Sequence, residues 1–93
     1  MNFLCEMTPI DDFTKNQLIN LGKRLRHFRK AQGFTNQEHF AFRHDIPRAQ
    51  YSRYERGENI TFISLLRILR VLNIPLDEFF SEGFDSYPEK PDK

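Results

Sequence analysis

The stretch from 35 to 57, TNQEHFAFRHDIPRAQYSRYERG, constrains this chain more than any other, because it spells two short amphipathic helices joined by a tight corner. With 100° between successive residues, Tyr51 and Tyr54 share one side of the second helix and Glu55 lies beside them. Ala49, Arg53 and Arg56 fall on the opposite side, flanked by Arg48 and Ser52. One face is suited to packing and the other to reaching outward.

A cationic outer face around a small central residue suits a helix pressed into the major groove of double-stranded DNA. There Arg pairs with guanine and a methyl group meets thymine. The competing reading is an ordinary solvated basic face, since charge runs usually do no more than keep a helix in water. Charge distribution favours the first. Residues 15 to 57 carry ten cationic side chains against three acidic ones, a net +7, while the whole chain stands at +1. A basic middle between acidic ends concentrates positive potential on the helix-turn-helix, which is what phosphate attraction and counterion release require.

A length of 93 residues allows one domain with one core, and ten Phe with no Trp fit a small helical protein packed by bulky side chains. Cys5 is alone, so no intramolecular disulfide can form, which fits a reducing, cytoplasmic setting. No apolar run approaches the roughly 18 residues of a membrane span, and Met1 to Ile10 lacks the pattern of a signal peptide. A soluble, non-exported protein is expected, with no membrane partner.

Five helices can be placed, giving an all-α fold. Thr14 with Gln17 reads as a capping box and Phe13 with Leu18 as its hydrophobic staple, so the first helix should run from there to about Gln32, stopped by Gly33. Leu18, Leu21, Leu25 and Phe28 form its apolar stripe; Gly22 interrupts it, most simply to admit a neighbouring backbone. Thr35 with Glu38 reads as the cap of the second helix, which buries Phe40 and Ala41 and ends near Arg43. Asp45 is expected at a left-handed corner, and Pro47 in the first turn of the third helix, which Gly57 closes. Thr61 caps the fourth helix, whose inner side is read as Phe62, Leu65, Leu66, Leu69 and Leu72. Ile74-Pro75 opens a short fifth helix with Leu76, Phe79 and Phe80 turned inward. The domain is thus expected over 14–82, between an N-terminal tail, 1–13, and a disordered Pro-rich tail, 83–93.

Leu21-Gly22-Lys23-Arg24-Leu25, Gln37-Glu38-His39-Phe40-Ala41, Tyr51-Ser52-Arg53-Tyr54-Glu55-Arg56-Gly57, Ser64-Leu65-Leu66 and Leu76-Asp77-Glu78-Phe79-Phe80 together resemble the Xre/Cro-repressor family over about residues 18 to 80. The resemblance implies a five-helix, phage-repressor-like DNA-binding domain, usually a dimer on a palindromic operator, acting as a repressor-like transcriptional regulator. Carried over by position, it implies Arg48, Ala49 and Arg53 as base readers, Gln50 and Ser52 as further groove or phosphate contacts, and Gln37 as a phosphate clamp. Arg43 and Arg56 join them as phosphate contacts on charge grounds. Glu55, near the apolar side of its helix, needs a fixed cation, and Arg29, next to the core residue Phe28, is placed to supply it. The chain departs from the family at His44, Asp45, Pro47 and Pro75, and Thr35 adds a residue to the usual loop.

Leu76, Phe79 and Phe80 follow a Leu-rich helix in a small domain, so a homodimer through the fifth helix and the C-terminal end of the fourth is expected. His39 and His44 are five apart, off the same-face spacing, and no partner set for a metal, a cofactor or a nucleophile accompanies them. An enzyme is not expected. The alternative function is a protein-interaction module, such as an antitoxin whose helices or tails bind a protein partner.

Overall fold

The computed structural model describes residues 10–86. Its elements are α1 (Asp12–Ala31), α2 (Gln37–Arg43), α3 (Arg48–Glu55), α4 (Phe62–Leu72) and α5 (Leu76–Phe79), with no strand among the described residues. The expected all-α, five-helix order is present among the described residues. Cys5 and residues 87–93 lie outside the described residues, as does most of the expected N-terminal tail.

Four of the helices end in the same way. Each is followed by a residue with positive φ: Gly33 at 94°, Asp45 at 60°, Gly57 at 100° and Asn73 at 60°. In each case the next N–H reaches back five residues, from Phe34 to Arg29, Ile46 to Ala41, Glu58 to Arg53 and Ile74 to Leu69, at 2.8 to 3.2 Å. This left-handed closure satisfies carbonyls that the helix itself leaves unpaired. Glycine takes the conformation at no steric cost, and Asp or Asn tolerates it better than other side chains. Asp45 therefore makes the left-handed corner between α2 and α3.

The helix starts differ from expectation. Asp11, not Thr14, caps α1: its carboxylate accepts from the Thr14 N–H at 2.9 Å, and Thr14 lies inside the helix. Asn36, not Thr35, caps α2, accepting from Glu38 and His39 N–H at 2.6 and 3.2 Å. In both cases the chain offers two nearby candidate caps, three residues apart at α1 and adjacent at α2, and uses the carboxylate or amide rather than the hydroxyl. Pro47 stands at the cap position of α3, one residue before the first turn. Thr61 caps α4 as read, bonding the Ser64 N–H at 3.1 Å.

The core joins all five helices: Leu25 and Phe28 of α1, Phe40 and Ala41 of α2, Tyr51 and Tyr54 of α3, Leu65, Ile68, Leu69 and Leu72 of α4, and Phe79 of α5. On α4 the inward stripe is Leu65, Ile68, Leu69 and Leu72, whereas Phe62 and Leu66, expected inside, face outward. Leu66 lies a quarter-turn from the stripe, and Phe62 sits in the first turn at the edge of the core.

Arg24 is the main departure on α1. Its side chain is buried and donates from Nε to the Phe79 carbonyl and from Nη2 to the Glu78 carbonyl, both at 2.8 Å, while its guanidinium lies 4.6 Å from the Phe28 ring centre. It thereby supplies donors to the end of α5, a helix too short to satisfy its own carbonyls. The chain beyond α5 does not leave the surface at once. Phe84 packs against Phe79 and Phe80, and Asp85 accepts from Gln17 and Asn20 at 3.1 and 3.3 Å. Phe84 and Asp85, which fall in the expected disordered tail, thus pack against the helices.

Candidate nucleic-acid interface

The outer face of α3 depends on how α3 is anchored, and Glu55 is the anchor. Its carboxylate accepts from Arg29 Nε and Nη2 at 2.7 and 3.2 Å, from Gln37 Nε2 at 2.7 Å and from the Tyr51 hydroxyl at 2.5 Å. The remaining Arg29 nitrogen, Nη1, donates to the Phe34 carbonyl at 2.7 Å. The side chains of Arg29 and Glu55 are each only 4% exposed, so this is a buried ion pair in bidentate geometry with its other polar atoms satisfied. The carboxylate that receives its N–H groups holds the Arg29 pKa above its ordinary value, outweighing desolvation. Burial first, then donation to Glu55, pushes the Tyr51 hydroxyl far above the usual phenol range. One carboxylate therefore ties α1, α2 and α3 together. Sequence reasoning placed Arg29 beside Glu55 but missed Gln37 and Tyr51, although Tyr51 lies one helical turn before Glu55.

Gly22 makes the same junction tighter. A Cβ there would lie 2.5 Å from the Glu55 carbonyl oxygen and 2.8 Å from that of Tyr54, so only glycine lets α1 and α3 approach this closely.

With Tyr51 and Tyr54 buried, the other side of α3 faces outward. Arg48, Ala49, Ser52, Arg53 and Arg56 line an open cleft whose second wall is the start of α2, from Asn36 to Glu38. The structure thus brings together Gln37, Arg48, Ala49, Ser52, Arg53 and Arg56. Gln50 is not among them. Its amide donates to the Tyr54 hydroxyl, and it lies in a separate recess with Pro47, Ser64 and Arg67, because position 50 falls a quarter-turn from the outward face. Arg43 is exposed at the last turn of α2, outside the cleft lining.

The outward arginines are held by carboxylates. Arg48 Nη1 lies 3.0 Å from Glu38, and Glu58 lies 3.7 Å from Arg53 and 3.4 Å from Arg56. None of these acids was singled out as a site residue in the sequence.

Of the residues expected at a dimer contact, Leu76 and Phe80 are 40% and 43% exposed, but Phe79 is fully buried. Phe79 stacks on Phe28 with ring centres 6.0 Å apart, which makes it a core residue of the single chain and removes it from any direct contact between copies. Among the described residues no three His, Cys, Asp or Glu side chains gather as a metal site requires, and no helix is long and apolar enough to cross a membrane.

Residues 25–79, which hold this cleft and the corner at Asp45, match the helix-turn-helix family. The chain belongs to the Xre-type helix-turn-helix family. Control protein C.MunI from a Mycoplasma species is 37% identical to it over 65 residues, which cover 69% of this chain and 88% of C.MunI. The crystal structure of the restriction-modification controller protein C.AhdI from Aeromonas hydrophila matches with a TM-score of 0.60 at 34% identity, covering 68% of this chain and 96% of C.AhdI. This helix-turn-helix protein is a DNA-binding transcriptional regulator and not an enzyme. Both relatives are controllers by name, which favours the regulator over the antitoxin reading.

Proposed function

We propose that the protein is the controller of a restriction-modification system: a homodimer in the cytoplasm that sets transcription by occupying a palindromic operator with α3 in the major groove. The observation that carries this reading is the cleft in which Arg48, Ala49, Ser52 and Arg53 stand outward from a helix locked by Glu55. Arg48 and Arg53 are the base readers, each able to pair bidentately with guanine, and Ala49 meets a thymine methyl. Ser52, Arg56, Arg43 and Gln37 hold phosphates, with Gln37 kept in place by its bond to Glu55.

Val71 near the end of α4, Leu76 of α5 and Phe80 just after it supply exposed apolar surface, and a second copy related by a two-fold axis would cover it. Two recognition helices so related read half-sites about 10 to 10.5 base pairs apart, centre to centre.

Selection of bound sequences from a random DNA pool tests the reading. A palindromic site with at least one fixed G·C pair per half is the expected result, and the same site should occur upstream of restriction-modification genes adjoining this one. A pool that yields no preferred sequence contradicts it.

A further inference from the structure

We propose that Glu38 is a positioning residue for sequence readout, fixing the guanidinium of Arg48 so that its free edge is aimed at a base. The inference rests on the reading of Arg48 as a base reader and names what orients it.

Glu38 lies in the first turn of α2 and Arg48 in the first turn of α3, and their side chains meet at 3.0 Å across the corner. The sequence pattern gives Glu38 another task, reaching back to the start of α2 as the acid of a capping box. That is not its arrangement: Asn36 caps α2, and the Glu38 carboxylate points to Arg48 instead. The two side chains are 56% and 66% exposed, and an ion pair this open to water adds little to stability. The fold is held elsewhere, by Glu55 and the core.

A carboxylate in this place also opposes DNA. Glu38 lines the same cleft as Arg48, Arg53 and Arg56, so its charge repels any phosphate that approaches. What it offers in return is direction. A guanidinium is a rigid planar fork with five donors, and engaging Nη1 leaves its other donors for a bidentate contact. An arginine already held loses less side-chain freedom on binding than one that sweeps through solvent. Glu38 thus lowers affinity for all DNA and sharpens the choice of one base pair.

The test uses the full chain with Glu38→Ala, Arg48→Ala and both together, because Ala removes the acceptor that an amide would keep. Each competes for the best selected site, for that site changed at the base pair whose preference Arg48→Ala relaxes, and for random DNA. Glu38→Ala should strengthen binding to random DNA and reduce discrimination at that base pair by about fivefold, with a nearly unchanged denaturant midpoint. In the Arg48→Ala background, Glu38→Ala should leave discrimination unaltered. Undiminished discrimination in Glu38→Ala overturns the proposal, since the acid then acts only as a charge. An equal loss with Arg48 absent overturns it too, because Glu38 would be meeting the base itself. If Arg48→Ala relaxes no base pair, the base-reader reading fails and the proposal with it; in the other two cases that reading stands.

Discussion

Gly22 of α1 lies against the last turn of α3, so close that a Cβ on it would stand 2.5 Å from the carbonyl oxygen of Glu55. The obstructing atoms are backbone and cannot turn aside. Gly22→Ala should therefore destabilise the protein by about 1 to 3 kcal/mol through overpacking. Helix propensity alone predicts the reverse, a gain of up to about 1 kcal/mol. The urea midpoint decides between them, and a rise would mean that α3 can move off α1 freely.

Glu55 carries the polar side of the same junction. Glu55→Ala leaves the Arg29 guanidinium buried without its partner, and a loss of about 3 to 5 kcal/mol is expected. Gln37→Ala, which removes one neutral donor from a carboxylate that keeps three others, should cost about 1 kcal/mol. Equal losses for the two in denaturant titrations would show that the ion pair does not dominate the junction.

Where the sequence was readable, the residues had few alternatives. Tyr51, Tyr54 and Glu55 could face inward only with Arg53 and Arg56 outward, and Asp45 stood where the chain needed a left-handed corner. The first-turn residues of α1 and α2 were harder, because Asp11 and Asn36 lie close to Thr14 and Thr35 and either can cap. Periodicity does separate Gln50 from the outward arginines by angle, but the family pattern carried it onto the DNA face. Arg24 was illegible for a different reason. Its partners are the carbonyls of Glu78 and Phe79, and backbone acceptors leave no mark in a sequence. Phe84 was hidden likewise, since a single Phe beyond Gly83 in a polar segment gives no period to read.

His44 gives the fold a pH dependence. Its Nε2 is buried with no hydrogen-bond partner among the described residues, and its ring meets those of Phe34 and Phe40 at 5.8 and 4.8 Å. Burial first, then the charge of Arg43, lowers its pKa below the ordinary histidine value. The unfolded chain therefore binds the proton more readily than the folded one. Its stability contribution is complete above about pH 6.5, falls as the pH drops below that value, and levels off below the folded pKa. His44→Leu should flatten stability across this window in denaturant titrations at several pH values. An unchanged slope would place the dependence on another group.

Asp45 and Asn73 both hold φ at 60°. Replacement of either by Val should destabilise by about 1 to 2 kcal/mol, because a β-branched side chain clashes in the left-handed region. Replacement by Gly should be tolerated. Thermal unfolding of the four variants checks this, and Val variants as stable as Gly variants would show that the corners are not constrained.

The central claim is that the outward face of α3 reads sequence, and Arg53 tests it most directly. Arg53→Ala is measured in competition between the best selected site, that site with its fixed G·C pair changed to A·T, and random DNA. A loss of about 1 to 3 kcal/mol on the best site, a relaxed preference at one base pair and a much smaller loss on random DNA are the predicted results. An equal loss on every sequence would contradict the account, because a solvated basic helix that only attracts phosphate behaves that way.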